Sequence, residues 1–161
     1  MESPNAPDGK RIVGKKEYPV LLDELLRSVG IDTPKKITVT PELVRFVGAN
    51  AALMLNQIMY WHVRGNKTKG FFKSDVDWKK ELGLKRSAIM SARSRLETME
   101  IVRTEVKKAR GAPTNYYKLD FDQLKRQFSV FMTVSTAQWE QILKTYKPAA
   151  SKKAMAVHSV G

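Results

Sequence analysis

The chain has 161 residues, no cysteine, two histidines and a formal net charge of +13. That length suits one domain with a modest core, and the missing cysteines exclude disulfides and cysteine-ligated zinc. The charge is uneven: residues 62–118 hold 15 Lys/Arg against 6 Asp/Glu, nine of the thirteen excess positive charges, which points to a polyanionic partner, nucleic acid before membrane.

Residues 1–16 are polar, with Pro4, Pro7, Gly9 and Gly14, and read as a flexible arm. Residues 17–36 read as an accessory helix. In "YPVLLDELLRSVG" (18–30), Val20, Leu21, Leu25 and Val29 recur at helical spacing, Leu22 and Leu26 widen the stripe, and Gly30 is a natural stop. Such a stripe must bury itself on the domain or on a partner chain.

Residues 37–128 read as the main domain. Ile37 to Val39 is a short β-type run, and Thr40 followed by Pro41 is a helix start. The stretch 50–65 is the most apolar: Ala51, Leu55, Ile58 and His62 lie near one stripe, and Leu53, Met54, Met59, Tyr60 and Trp61 fill much of the circumference. A helix apolar nearly all round is the centre of a small core. After a polar turn at 65–70, "FFKS" (71–74) reads as extended, with Ser74 capping a short helix over 75–83. In that helix Val76 and Leu82 are expected to face inward, with Trp78 or Lys79 between. A longer helix runs from about Arg86 to Glu100. Two β-type runs, 101–108 and 114–121, flank "ARGAP", where Gly111 and Pro113 mark a hairpin turn.

Residues 120–128 read as a short helix. Residues 129–147 form a C-terminal helical segment and a candidate dimerisation element: Ser135 and Gln138 are spaced as a capping box, and Trp139, Ile142, Leu143 and Tyr146 make an apolar stripe. Residues 148–161 read as a flexible tail. The expected class is mainly α with a small β-hairpin (α+β). The element order from 50 to 121 is the plan of a winged helix-turn-helix with extra N- and C-terminal helices, its corner made by the Gly and Leu of "ELGLKRS".

On a helical wheel Ile89, Ala92, Leu96 and Met99 share one face. Ser87, Met90, Ser91, Ser94 and Thr98 project the other way, flanked by Arg86, Arg93, Arg95 and Glu97. Small outward residues let a helix sink into a major groove, where Ser and Arg donate to base edges and phosphates; a merely solvated face would more often mix Glu with Lys. Lys107, Lys108 and Arg110 sit at the hairpin tip, where cations neutralise phosphate beside the helix. The bland reading of that tip is a charged loop that prevents edge pairing. The DNA-contacting set is therefore Lys85, Arg86, Ser87, Met90, Ser91, Ser94 and Arg95 from the helix, with Lys107, Lys108, Arg110 and Asn115 from the hairpin.

Three segments resemble the winged-helix N-terminal domains of phage and plasmid replication initiators and replisome organisers of the DnaD-like kind. "NAALMLNQIMYWH" resembles their first core helix, and "LGLKRSAIMSARSRLETMEIVRTE" their turn and recognition helix. "RGAPTNYYKLDFDQL" looks like their wing. The resemblance implies binding of double-stranded DNA at an origin or operator, often as a homodimer and with replication or transcription proteins as further partners. It does not imply catalysis, and no cofactor is expected. The 40 residues 122–161 after the hairpin are short for a helicase-binding or primase domain, so a compact regulator or a DNA-coating protein fits equally well.

Other readings compete less well. Asp75, Asp77 and Glu81 are expected to complement a helix dipole, as are Asp120 and Asp122 in the next helix. No Ser-His-Asp set, phosphate loop or metal cluster stands out, so no enzyme and no metal site are expected. His62 reads as a buried or capping residue, and Tyr60, Trp61 and Trp78 as core aromatics. A protein-interaction module is the alternative, with Leu21, Leu25, Trp139, Ile142 and Leu143 as a dimer seam or, equally, as stripes packed on their own domain. No apolar run is long enough to span a membrane, and "MESPNAPDGKR" lacks the core of a signal peptide. The expected location is cytoplasmic, on nucleoid, viral or plasmid DNA.

Overall fold

The computed structural model describes residues 20–66, 69–109 and 111–146. These residues are mainly helical, with seven helices and one small antiparallel sheet of three strands. The chain divides into two units, Met1–Lys36 and Ile37–Gly161. In the first, α1 spans residues 20–27. Its C-terminal turn closes with Gly30 N donating to Arg27 O at 3.0 Å, and Lys36 pairs with Asp23 at 2.9 Å.

The second unit begins with α2 (Pro41–Val47), where the Thr40 side chain accepts from Leu43 N at 3.2 Å and Pro41 takes the first turn. The strand expected at Ile37–Val39 does not form. Those residues find no partner strand, and Ile37 and Val39 pack on the core as separate apolar anchors. Helix α3 (Ala49–Arg64) is the central element: Ala52, Met54, Leu55 and Ile58 are fully buried. It is not apolar all round in effect, because Tyr60 and Val63 lie on a solvent side. Tyr60 is thus no core aromatic; the Arg64 guanidinium covers its ring at 3.6 Å. His62 is half-buried in the last turn.

Strand β1 (Phe71–Phe72) leads into α4 (Asp75–Leu82), capped by a reciprocal Ser74–Asp77 box, as the Ser74 signal predicts. The inward residue of α4 is Trp78, fully buried, whereas Val76 is 60% exposed. The expected inward Val76 loses because one short turn has room for a single large side chain against Tyr117, and the Trp78 ring takes it at 5.5 Å. Gly83, in the left-handed region at φ +69°, ends α4 and turns the chain into α5 (Arg86–Thr98).

Strands β2 (Val102–Ala109) and β3 (Ala112–Leu119) form a hairpin, and the sheet order is β1-β3-β2. Ala109 pairs with Ala112, so the loop is shorter than "ARGAP" suggested and Pro113 lies inside β3 opposite Lys108. Proline is tolerated there because pairing on the β1 side stops at Asn115, which accepts from Lys73 N, so at Pro113 the ladder has no second neighbour to supply.

Helix α6 is not the short 120–128 element but runs Phe121–Thr133, so the expected boundary at 128/129 falls inside it. Its apolar face buries Leu124 and carries Phe128 and Phe131 onto Phe46, which keeps the helix going past 128. Helix α7 (Thr136–Lys144) starts at the expected Ser135–Gln138 capping box. Its stripe is spent on its own domain: Trp139 is buried, and Ile142, Leu143 and Tyr146 pack against the same core. That is the second of the two readings left open for it; Trp139 is not available as a dimer seam.

Candidate nucleic-acid interface

Helix α5 divides as its periodicity requires. Ile89, Ala92 and Leu96, followed by Met99, are buried against α3 and the rest of the core. On the other side Arg86, Ser87, Met90 and Ser91 are exposed. Lys85 occupies the N-cap, makes no capping hydrogen bond, and the first turn contains no acid. The first N–H groups of α5 therefore face outward together with two cations, and the positive end of the helix reinforces them.

The C-terminal half of the same row is less open. Ser94 and Thr98 are half-buried, at one end of a groove that also takes in Met90, Ser91, Leu143 and Tyr146. Arg95 is exposed, but its guanidinium donates to the Val47 carbonyl at 3.3 Å. Arg93, placed on the outward edge by the wheel, turns inward instead. Its Nη1 donates to Asp75 at 2.8 Å and to the Tyr117 hydroxyl at 2.7 Å, with only 13% of the side chain exposed. Burial works against its charge, but Asp75 and Tyr117 outweigh that and raise its pKa above the usual arginine value. Asp75 is thus a partner for Arg93 as well as a residue of the first turn of α4. For Tyr117, burial pushes the phenol up, against the opposing effect of Arg93.

Two further links hold α5 to the hairpin and the C-terminal helices. The Thr104 hydroxyl of β2 donates to Glu97. Gln127 donates to the Met99 carbonyl and accepts from the Tyr146 hydroxyl at 2.9 Å. A buried amide thereby joins α6 and the turn after α7 to the end of α5, where a helix leaves carbonyls without intrahelical partners.

On the hairpin, Lys107 and Lys108 are both exposed. The register sets Lys107 opposite Thr114 and Lys108 opposite Pro113, so the two point to opposite faces of the ribbon. Lys107 Nζ stands 3.4 Å from the Glu105 carboxylate and 5.3 Å from the Tyr116 ring centroid. Asn115 is half-buried opposite Val106, and its carbonyl accepts from Lys73 N at 3.1 Å. Arg110 lies outside the described residues, as do the arm 1–16 and the tail 148–161. Of the expected set, the structure exposes Lys85, Arg86, Ser87, Met90 and Ser91 at one end of α5, Arg95 farther along it with its guanidinium on the Val47 carbonyl, and Lys107 and Lys108 on the hairpin. Ser94 and Asn115 are partly withdrawn.

One polar cluster escaped the reading of the sequence. Lys73 is buried at 7% exposure, paired with Glu81 and set over the rings of Trp61 (4.3 Å) and Trp78 (4.9 Å). Glu81 also accepts from Trp61 Nε1 at 2.9 Å and from Gln57 Nε2 at 2.6 Å. It does not serve the N-terminal dipole of α4, because it stands in the last turn of that helix. Burial alone would raise its pKa, but the donors Lys73, Trp61 and Gln57 outweigh that and hold it below the usual carboxylate range. The available signal was the alternation of "FFKS": with Phe71 inward and Phe72 outward, Lys73 must point inward. Asp77, too, is held low, chiefly by the Ser74 hydroxyl.

Among the described residues no group of three or more His, Asp or Glu is placed to hold a metal ion, and no helix is long and apolar enough to cross a membrane. Comparison with known protein families, with curated proteins and with solved structures found no match.

Proposed function

We propose that the chain is a non-catalytic double-stranded DNA-binding protein of phage or plasmid type, built as a winged helix-turn-helix and acting in replication initiation or transcription regulation. In this reading α4 and α5 are the helix-turn-helix, α5 is the recognition helix, and the β2–β3 hairpin is the wing.

The observation that carries it is the end of α5. Lys85, Arg86, Ser87 and Ser91, with the apolar Met90 among them, form an exposed surface of mostly small and cationic side chains with no acid in the first turn. The inward cation of the same helix, Arg93, is matched by a carboxylate, whereas Lys85 and Arg86 are paired with none in the salt bridges among the described residues. Small residues allow close approach to base edges, and the helix dipole favours phosphate at that end. Because Ser94 and Thr98 are half-buried whereas Ser87, Met90 and Ser91 are exposed, base contacts concentrate on the first two turns.

Protection mapping of the protein on fragments of the genome that encodes it, at two salt concentrations, tests the reading. A discrete footprint that Arg86→Glu abolishes supports a regulator or initiator. Spreading protection supports a coating role, and no protection at low salt overturns the proposal.

A further inference from the structure

The hairpin register sorts the sheet into two faces. Val102, Tyr117 and Leu119 point into the core and are buried. The other face carries Phe72 opposite Tyr116, Tyr116 opposite Glu105, Lys118 opposite Arg103, and Thr114 opposite Lys107. The Phe72 and Tyr116 rings lie 5.7 Å apart at 45°, and Phe72 is 40% exposed. Lys107 Nζ is 5.3 Å from the Tyr116 centroid. Three cations, Arg103, Lys107 and Lys118, share the face with one carboxylate, Glu105, and all four are exposed.

We propose that this outer sheet face is a second nucleic-acid surface, a stacking platform for single-stranded nucleic acid. Two adjacent aromatic rings on a sheet offer flat apolar area to an unstacked base, and neighbouring cations neutralise its phosphate. A duplex cannot use them, because its base faces are already stacked on one another. Glu97, Glu100, Asp120 and Asp122 line the cleft at the foot of the hairpin beside Arg103 and Lys118. They repel phosphate there, so the strand crosses the aromatic pair toward Lys107. This surface shares Lys107 with the wing of the duplex reading but uses none of the α5 residues, so Arg86→Ala separates the two surfaces.

The test is fluorescence anisotropy with labelled oligothymidylate and oligouridylate of about 20 nucleotides, long enough for one site, and with a duplex as a third probe. The full-length protein is compared with Tyr116→Phe, Tyr116→Leu and Lys107→Glu. Tyr116→Phe keeps the π-face and should bind single strands as the parent does. Tyr116→Leu keeps bulk on the strand but should weaken single-strand binding roughly tenfold. Lys107→Glu should weaken it further at low salt, and Arg86→Ala should leave it intact. A preference for one probe shows whether DNA or RNA is the source. Absence of single-strand binding in the parent protein, or equal binding by Tyr116→Phe and Tyr116→Leu, overturns the proposal. Loss of single-strand and duplex binding together in Arg86→Ala also overturns it, because one surface would then serve both.

Discussion

The indole nitrogen of Trp139 donates to the backbone carbonyl of Phe46 at 2.8 Å, and the two rings stack 5.3 Å apart at 27°. Phe46 lies in the last turn of α2, where a helix cannot satisfy its own carbonyls. Phe128 and Phe131 close the aromatic group from α6. Helix α7 is thereby part of the core. Trp139→Ala is expected to cost about 3–5 kcal/mol through lost burial and an open cavity. Trp139→Phe should cost less, about 1–2 kcal/mol, mainly for the unpaired carbonyl. Urea denaturation measures both; an unchanged midpoint for Trp139→Ala would mean that α7 contributes nothing to the fold.

Two arginines of α5 should separate stability from binding. Arg93→Ala leaves Asp75 without its guanidinium and the Tyr117 hydroxyl without its donor, an expected loss of roughly 2–4 kcal/mol. Arg86→Ala, on an exposed side chain, should change stability by no more than about 0.5 kcal/mol. Thermal unfolding of the two variants side by side gives the contrast, and similar melting temperatures would refute it.

The Lys73–Glu81 cluster predicts an acid limb in the stability curve. The folded pKa of Glu81 lies below its ordinary value of about 4.5. Its contribution is therefore complete above that value and declines as pH falls through the lower, folded value. Glu81→Gln should be less stable than the parent protein at neutral pH, and the difference should shrink on acidification. A difference that grows as pH falls would reverse the assignment.

Glu100 holds the left-handed position after α5 at φ +60°, with Ile101 N donating to Leu96 O at 3.1 Å and Glu100 N to Glu97 O at 2.9 Å. That is the helix ending that normally takes glycine. Replacement by glycine should raise stability by about 0.5–1 kcal/mol, the relief of the Cβ clash exceeding the added chain entropy. A lower melting temperature for Glu100→Gly would show that the carboxylate itself is needed there.

Gly70 presents the opposite case. A Cβ there would meet the Tyr117 carbonyl oxygen at 2.3 Å, and the backbone already stands at φ +85°. Gly70→Ala should push β1 off β3, at a cost of about 2 kcal/mol or more. Hydrogen exchange at Lys73, whose N–H donates to the Asn115 carbonyl of β3 at 3.1 Å, would report the separation, and unchanged protection would rule it out.

For the duplex reading, Arg86→Ala and Lys108→Ala should each lower affinity at every sequence and reduce the salt slope by about one. Binding titrations across a salt series decide this; a slope unaltered in both variants would place the contact elsewhere on the molecule.

Much of the framework was legible in local chemistry. Thr40, Ser74 and Ser135 begin their helices because a side-chain oxygen can satisfy a free N–H within three residues. Ile89, Ala92, Leu96 and Met99 go inward because 3.6 residues per turn leave them no other common face. The exposed cationic end of α5 follows from the same count. What the pattern cannot convey is competition between residues that are equally able to turn inward. Val76 and Trp78, or Arg93 and Arg95, differ only in what waits for them across the core. Trp78 wins its site against Tyr117, and Arg93 finds Asp75 from 18 residues away. Lys73 is buried because Glu81 and two indole rings converge on it from α3 and α4. These partners are joined by tertiary packing, in which burial of a charge is tolerated only where its counter-charge is delivered. Periodicity and capping chose the elements and their faces; the three-dimensional meeting of those faces decided which cations stay in solvent and which are locked inside.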